Sequence, residues 1–219
     1  MTFDVGGTLI EPWQSVGQVY ADVAASHGWP GLSAETLNRQ FARAWQEQAN
    51  FGYTRHEWAS LVEASFSGVI APGSSAKFFN ELYERFATGG AWRIFEDVLP
   101  TMRKLRARGL KLTVISNWDD RLPVLLERLG LLGYFDSIVV SCQVGATKPS
   151  PAIFAAAARA LGLPPAAILH VGDSLGMDVE GGRAAGFRTA HLRRAKAEKE
   201  GEIDSLCGIE GLLNSPMGA

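Results

Sequence analysis

The sequence predicts an α/β protein with an inserted bundle of helices. Two sequence patterns predict this fold class. From Arg93 onward, β-branched apolar runs alternate with amphipathic stretches, whereas only helical patterns occur from about Trp13 to Trp92. Strands that alternate with helices imply right-handed βαβ units and a parallel sheet. We therefore expect a Rossmann-like parallel sheet core with helices on both faces, plus the α-helical bundle.

The elements of the predicted core follow one another in regular order. Helices are predicted at 97–108, 120–129, 151–161 and 178–185, and strands at 110–115, 138–140, 168–171 and 189–192. Gly109, Gly130 and Gly186 mark helix ends, and Pro151 stands in the first turn of its helix. The remainder, 193–219, is charged and then Gly-rich, which indicates an edge element followed by a loose tail.

The helical region is predicted to be an insert. Its amphipathic stretches are 16–25, 33–48, 54–66 and 76–86. Because the strand-like run Met1-Thr2-Phe3 precedes them, we favour residues 1–13 and 93–219 as the core and 14–92 as the insert, over two separate domains. That run is about half a usual strand in length, so either the central strand is truncated or the natural start lies upstream of Met1.

Composition narrows the class of protein. The chain has 219 residues, 47% hydrophobic residues and a formal net charge of −2, so nothing favours general binding to nucleic acid or to a membrane. Cys142 and Cys207 are too few for a disulfide framework, which favours a reducing cytoplasm. The first residues are unlike a signal peptide, and no apolar run is long enough to span a bilayer.

Polar residues follow four of the predicted strands. They are Asp4 before a Gly-Gly turn, Ser116 with Asn117, Lys148 between two prolines, and Asp173 with Asp178 in an acidic loop. Each has an ordinary structural explanation, as a turn residue, a helix cap or a solvated charge. Parallel strands, however, bring their carboxyl ends to one edge of the sheet, so together the residues predict one site for an anion and a cation.

Four segments carry a family resemblance. Phe3-Asp4-Val-Gly-Gly-Thr8-Leu9, Val114-Ile-Ser-Asn117, the Lys-Pro-Ser-Pro-Ala-Ile-Phe run from Lys148, and Gly172-Asp-Ser-Leu-Gly-Met-Asp178 resemble the four signature motifs of the haloacid dehalogenase superfamily. The insert is similar to that superfamily's helical-bundle (C1-type) cap domain. The resemblance implies a magnesium-dependent, phosphatase-type hydrolase of a small phosphorylated metabolite, acting as a monomer or homodimer.

The resemblance also implies roles around a nucleophile. Asp4 would attack phosphorus and form an aspartyl-phosphate. Mg²⁺ would be held by the carboxylates of Asp4 and Asp173 and by the backbone carbonyl of Gly6, with waters completing its shell. Asp178 would act mainly without contacting the metal directly, by orienting water or Lys148.

The phosphoryl group would be held by other matching positions. Ser116 would donate to one of its oxygens, together with the backbone N–H groups near Val5 and Asn117, and the amide of Asn117 is a further candidate donor. Lys148 would balance the negative charge of Asp4 and the phosphate.

One position departs from the family pattern. Phosphatases of this superfamily usually carry a second aspartate, two residues after the nucleophile, where this chain has Gly6. The backbone carbonyl that binds the metal is kept, and the side chain that protonates the leaving alcohol is absent. Since general acid–base help is worth about 10² to 10⁴ in rate, alkyl phosphates should react poorly, whereas aryl and acyl phosphates need little protonation.

The missing aspartate leaves other functions open. A 2-haloacid dehalogenase also lacks it and would need an arginine for the substrate carboxylate, with Arg39, Arg43 and Arg55 as candidates. A phosphonoacetaldehyde hydrolase would need a Schiff-base lysine, and Lys77 is the only lysine of the insert. A non-catalytic relative that binds a metabolite or a protein is the alternative outside enzymes.

Overall fold

The core contains a parallel sheet. The computed structural model describes residues 1–48, 51–194 and 201–214. Its strands are β1 Thr2–Phe3, β2 Ile10–Pro12, β3 Trp92–Ile94, β4 Thr113–Ser116, β5 Ser137–Val140, β6 Leu169–Gly172, β7 Arg188–Leu192 and β8 Glu202–Ile203. Six of them form one sheet in the order β5-β4-β1-β6-β7-β8, with parallel pairing throughout, and β2 and β3 form a separate two-stranded sheet.

Helices flank the sheet and form the insert. They are α1 Val16–Ser26, α2 Ala34–Gln46, α3 Arg55–Ser65, α4 Phe79–Ala87, α5 Val98–Ala107, α6 Leu122–Arg128, α7 Ser141–Val144, α8 Pro151–Leu161, α9 Gly181–Ala184 and α10 Ile209–Asn214. The α/β fold class predicted from the sequence is therefore confirmed. Within the described chain, no helix has the length and apolar composition needed to cross a membrane.

The short strand β1 lies at the centre of the sheet. Thr2 stands opposite Thr113 of β4 on one side and His170 of β6 on the other. The pairing continues past the strand, because the N–H of Asp4 donates to the carbonyl of Val171 at 2.9 Å. The first acidic residue therefore leaves the middle of the sheet at its carboxyl edge.

Helix α8 shows how the sequence builds the core. The side chain of Ser150 accepts a hydrogen bond from the N–H of Ala152, Pro151 occupies the first turn, and Gly162 ends the helix in the left-handed conformation. The buried face of α8 packs against Ile115 and Val139 of the sheet. This packing fixes the loop that precedes α8, in which Lys148 lies.

Two predicted core elements begin three residues away from their predicted starts. The strand predicted at 110–115 begins only at Thr113, because the N–H of Leu112 donates to the carboxylate of Asp136 at 2.7 Å. The helix predicted at 178–185 begins earlier, as a wide π-helical turn at Leu175–Glu180 in which the side chain of Ser174 accepts from the N–H of Met177. Of the predicted tail, residues 195–200 and 215–219 lie outside the described residues.

The chain divides into two compact units. The core unit comprises Met1–Glu11, Ile94–Pro123 and the described residues from Gly130 onward, and the helical unit comprises Pro12–Arg93 and Val124–Leu129. Residues 124–129, which the sequence assigned to the core, group with the helical unit. Within that unit, a Cβ built on Gly89 would lie 3.4 Å from Cδ2 of Leu129.

The helical unit has its own aromatic core. The rings of Tyr20 and Phe66 stack with centroids 5.6 Å apart, and Phe78 contacts Phe66 edge to face. A capping box, in which the side chains of Thr54 and Glu57 each bind the other's backbone N–H, begins α3. These contacts hold the helices together within the unit.

A partly buried ion pair ties the described C-terminal segment to the core. Oδ2 of Asp97 accepts hydrogen bonds from Arg194 at 3.0 Å, from the hydroxyl of Ser205 at 2.9 Å and from the N–H of Leu206 at 2.7 Å. Burial opposes the charge of Asp97, but Arg194 and these donors outweigh it and lower the pKa of the carboxyl. Arg194 also donates to the carbonyl of Thr8 at 2.6 Å.

We predict that Asp97→Asn lowers the free energy of unfolding at pH 7 by about 1–3 kcal/mol, because charged hydrogen bonds are lost. Since the pKa of Asp97 is lower in the folded state, its stabilisation is present above its unfolded value of about 3.9 and is lost as the pH falls through the folded value. Urea unfolding from pH 7 to pH 3 should show the difference between variant and wild type shrinking below about pH 4. A difference that is constant with pH would contradict this assignment.

Candidate active site

The four motif segments meet at one edge of the core sheet. Asp4 follows β1, Ser116 ends β4 with Asn117 next to it, and Asp173 follows β6 directly. Lys148 comes from the loop before α8, and Asp178 from the π-helical turn. The structure therefore brings together all the side chains that the sequence placed in the site.

In this site one buried lysine contacts two carboxylates. Nζ of Lys148 donates to Oδ1 of Asp4 and to Oδ1 of Asp178, each at 2.6 Å. The hydroxyl of Ser116 donates to the same oxygen of Asp4 at 3.3 Å. All four residues are buried, with at most 6% of any one exposed to solvent.

Burial and charge oppose each other in this cluster. Burial disfavours the ammonium of Lys148, but the charges of Asp4 and Asp178 outweigh that effect and raise its pKa. Burial raises the pKa of Asp4, with Lys148 acting against this shift. For Asp178 burial is likewise opposed, and Lys148 and His170 lower its pKa. These surroundings thus favour the charged forms of Lys148 and Asp178, whereas Asp4 is the less well compensated carboxylate.

Asp173 adds a third carboxylate. Partial desolvation, together with the negative charges of Asp4 and Asp178, raises the pKa of Asp173 to about 7. The residue nevertheless keeps a solvent-exposed surface, so the effect of this shift on stability is screened by water. Its backbone carbonyl lies 3.0 Å from Nε2 of His191, and the hydroxyl of Thr8 lies 3.5 Å from its Oδ1.

The two glycines after Asp4 serve different purposes. Gly7 has φ +74°, and a Cβ built on it would lie 2.4 Å from Oδ2 of Asp173, so no other residue fits without moving that carboxylate. A Cβ on Gly6 would lie 3.5 Å from Cζ3 of Trp118, an ordinary contact. Space therefore requires glycine at position 7, while position 6 has room for at least a methyl group.

The amide of Asn117 has a use that the sequence did not suggest. Its Oδ1 accepts from the backbone N–H of Lys148 at 2.7 Å, and its Nδ2 donates to the carbonyl of Lys148 at 3.1 Å. Both ends of the amide are thus engaged with the lysine's backbone. Phosphate binding by Asn117 stays a prediction, and its backbone N–H is the group left to provide it.

His170 also contacts the cluster, which the sequence did not reveal. It is fully buried. Its Nε2 lies 3.1 Å from Oδ1 of Asp178, and its Nδ1 lies 2.9 Å from the hydroxyl of Thr2. The signal was available, because a histidine three residues before Asp173 in a parallel strand lies beside the central strand.

The donor set fits a hard divalent cation. Asp4, Asp173 and Asp178 each offer a carboxylate oxygen, and these oxygens lie within 4.8 Å of one another. Three carboxylates and one ammonium leave two negative charges uncompensated within this group of four residues. Oxygen ligands and that charge suit Mg²⁺. Asp178 already accepts from Lys148, His170 and the N–H of Ser174, so Asp4 and Asp173 are the carboxylates with room for an ion.

Fold and site together define a parallel α/β protein with an acidic centre at one edge of its sheet, and sequence comparison gives its family. The family model for haloacid dehalogenase-like hydrolases matches residues 1–186. The chain therefore belongs to the haloacid dehalogenase-like hydrolase family.

Individual relatives agree with this assignment. "Haloacid dehalogenase-like hydrolase domain-containing protein 3" of Bos taurus is 36% identical over 200 residues, which is 86% of this chain and 79% of that protein. "Glyceraldehyde 3-phosphate phosphatase" of Methanopyrus kandleri is 38% identical over 108 residues, 47% of this chain and 44% of that protein. The chain is thus a hydrolase with phosphatases among its relatives.

Solved structures share the fold across nearly the whole chain. The HAD-hydrolase YfnB from Bacillus subtilis, solved bound to magnesium, has a TM-score of 0.81 at 19% identity and covers 98% of this chain and 97% of its own. The 2-haloacid dehalogenase from Pseudomonas syringae has a TM-score of 0.66 at 26% identity, with 97% and 96% covered. Since a magnesium-bound hydrolase and a dehalogenase both match over similar lengths, the fold does not discriminate between these two kinds of enzyme.

We predict that Asp173→Asn stabilises the metal-free protein by about 0.2–1 kcal/mol, because one of three neighbouring negative charges is removed and solvent screens the gain. Thermal unfolding with chelator should show the higher melting temperature. Adding Mg²⁺ should then raise the melting temperature of the wild type and leave that of the variant unchanged. Asp204→Asn removes an exposed acid of the same core and is the matched control; equal behaviour of the two variants would contradict the prediction.

Proposed function

We propose that this hydrolase is a magnesium-dependent phosphatase that acts on a small phosphorylated metabolite through an aspartyl-phosphate at Asp4. The observation that carries the proposal is the buried carboxylate of Asp4, whose Oδ1 contacts both Lys148 and Ser116. A carboxylate held in one orientation beside a cation is arranged to attack an anionic phosphoryl group. The proposal takes further support from the phosphatase among the chain's relatives.

The first half of the reaction forms the intermediate. A carboxylate oxygen of Asp4 bonds to phosphorus as the bond from phosphorus to the leaving oxygen breaks, and that oxygen departs with the electron pair. Ser116 donates to a phosphoryl oxygen, and Lys148 balances the charge that Asp4 and phosphate bring together. Asp4, Asp173 and the carbonyl of Gly6 would hold magnesium, which would supply further neutralisation of the phosphate charge.

The second half regenerates Asp4. Water attacks phosphorus, the bond between Asp4 and phosphorus breaks, and the proton of the water passes to solvent while inorganic phosphate leaves. Asp178 keeps Lys148 in place during both halves, because its Oδ1 accepts from Nζ at 2.6 Å. Asp178 is thereby a positioning residue.

The missing carboxylate at Gly6 decides which esters react well. No side chain at that position can protonate a leaving alkoxide, so the oxyanion must depart unaided. Aryl and acyl phosphates release weakly basic oxyanions, and alkyl phosphates do not. We therefore propose efficient turnover of the first two classes and weak turnover of the third.

We also propose that the helical unit is the cap domain of this hydrolase. The support is the order of the chain: it leaves the core unit at Glu11, soon after the nucleophile, and returns at Ile94. For the compartment we propose the cytoplasm, which suits the two exposed, unpaired cysteines.

The dehalogenase alternative finds less support in the helical unit. Arg39 pairs with Glu35 at 2.8 Å and Arg43 with Glu47 at 3.0 Å, both as exposed helix-surface pairs. Arg55 donates to Asn80 at 2.9 Å. For the phosphonoacetaldehyde hydrolase alternative, Lys77 is exposed on the helical unit, and its Nζ lies 5.4 Å from the ring centroid of Trp29 in a cation–π contact.

A small substrate panel tests the proposal. With Mg²⁺, the wild type should hydrolyse 4-nitrophenyl phosphate and acetyl phosphate faster than an alkyl phosphate, and chelator or Asp4→Asn should abolish this turnover. The panel also contains 2-chloropropionate. Release of chloride without metal would replace the proposal by dehalogenation, and neither turnover nor Mg²⁺ binding would indicate a non-catalytic protein.

A substitution at position 6 tests the leaving-group argument. Gly6→Asp should raise kcat for an alkyl phosphate by about tenfold or more, since a general acid contributes about 10² to 10⁴ when well placed. Acetyl phosphate, which needs no acid, should change little. Gly6→Asn has the same shape without the acid and should show no gain; an equal response of the two variants would show that the missing acid does not limit the rate.

A further inference from the structure

We propose that Trp118 determines specificity at this site by forming an aromatic wall for the leaving group, so that the favoured substrates are phosphate esters of aryl or similarly flat, unsaturated hydroxyl compounds. The inference rests on the proposed phosphatase function and extends it from the reaction to the class of substrate. It concerns recognition of the part of the substrate that departs.

Trp118 is positioned by the same loop that carries the phosphate-binding serine. It stands two residues after Ser116 and directly after Asn117, whose amide binds the backbone of Lys148. Its own backbone is held on both sides by Ser141, whose Oγ accepts from the N–H of Trp118 and donates to its carbonyl, each at 3.0 Å. The backbone that carries the indole is therefore held between the end of β4 and Ser141, the residue after β5.

The indole lies against the loop of the nucleophile. A Cβ built on Gly6 would lie 3.5 Å from Cζ3 of Trp118, while a Cβ on the next residue, Gly7, would run into the carboxylate of Asp173. The two successive glycines thus face an aromatic ring on one side and a candidate metal ligand on the other. Trp118 is only half-buried, so part of its surface remains open to a ligand.

This arrangement replaces an acid by an aromatic surface. A Cβ at position 6 would lie in contact with Cζ3 of the indole, so glycine leaves the space between that atom and the nucleophile loop unfilled, two residues from Asp4. A leaving group beside Asp4 therefore meets a flat apolar surface at the point where no proton donor is available. An aryl group gains from both features, because it stacks on the indole and because its oxyanion leaves without a proton.

The two features can be separated by experiment. Acetyl phosphate has a good leaving group without a ring, so the missing acid alone predicts no dependence on Trp118. The aromatic wall predicts that Trp118→Leu raises KM for 4-nitrophenyl phosphate about fivefold, with kcat changed less than twofold, and leaves KM for acetyl phosphate unchanged. Trp118→Phe keeps a ring and should stay within about twofold of the wild type.

A binding measurement gives the same test without turnover. Phenylphosphonate and methylphosphonate are titrated calorimetrically into wild type, Trp118→Leu and Trp118→Phe with Mg²⁺, after thermal unfolding has shown that the variants are folded. Phenylphosphonate should bind about fivefold more tightly than methylphosphonate to the wild type and to Trp118→Phe, and this preference should be lost in Trp118→Leu.

The outcomes separate the two proposals. Equal binding of both phosphonates to the wild type, or a preference that survives in Trp118→Leu, overturns the aromatic wall and leaves the phosphatase proposal standing. Failure of either phosphonate to bind the wild type, together with no turnover of acetyl phosphate, overturns the phosphatase function and with it this inference.

Discussion

The site depends on one buried cation shared by two carboxylates. Lys148 contacts Asp4 and Asp178 at the same distance, 2.6 Å, and all three side chains are almost completely buried. Removing one partner from such a group costs about 3–5 kcal/mol, because the remaining charge is left uncompensated. Several other contacts act on this lysine: Asn117 holds its backbone, and His170 holds Asp178 on the far side. The orientation of Asp4 therefore follows from the packing of the core.

The same electrostatics explain why a cation belongs in the site. Lys148 offsets only one of the negative charges that Asp4, Asp173 and Asp178 contribute, and Asp173 responds with a raised pKa. The backbone next to these residues is as restricted as the charges are, because only glycine fits at position 7 beside Asp173. At position 6 space does not require glycine. What glycine changes there is the chemistry of this hydrolase, because it removes an acid side chain from the site. Glycine at position 7 leaves room for the carboxylate of Asp173. Glycine at position 6 leaves that position without a side chain that could transfer a proton.

Much of this could be predicted from sequence, for identifiable reasons. The order of strands and helices and the meeting of Asp4, Ser116, Lys148 and Asp173 follow from periodicity and from parallel pairing, which brings the ends of strands together. The bounds of β4 and the π-helical turn could not be predicted from the sequence. They depend on side chains such as Asp136 and Ser174, which bind backbone groups locally. The contact between Gly6 and Trp118 joins residues 112 positions apart, and no local pattern encodes it.

The most direct test of the account is to identify the covalent intermediate. The protein is mixed with acetyl phosphate and Mg²⁺, quenched in acid within the first turnover, digested and examined by peptide mass spectrometry. We expect the mass of one phosphoryl group on Asp4, dependent on Mg²⁺ and absent from the Asp4→Asn variant. Phosphoryl transfer to a different residue, or turnover that persists in Asp4→Asn, would contradict the central role of Asp4.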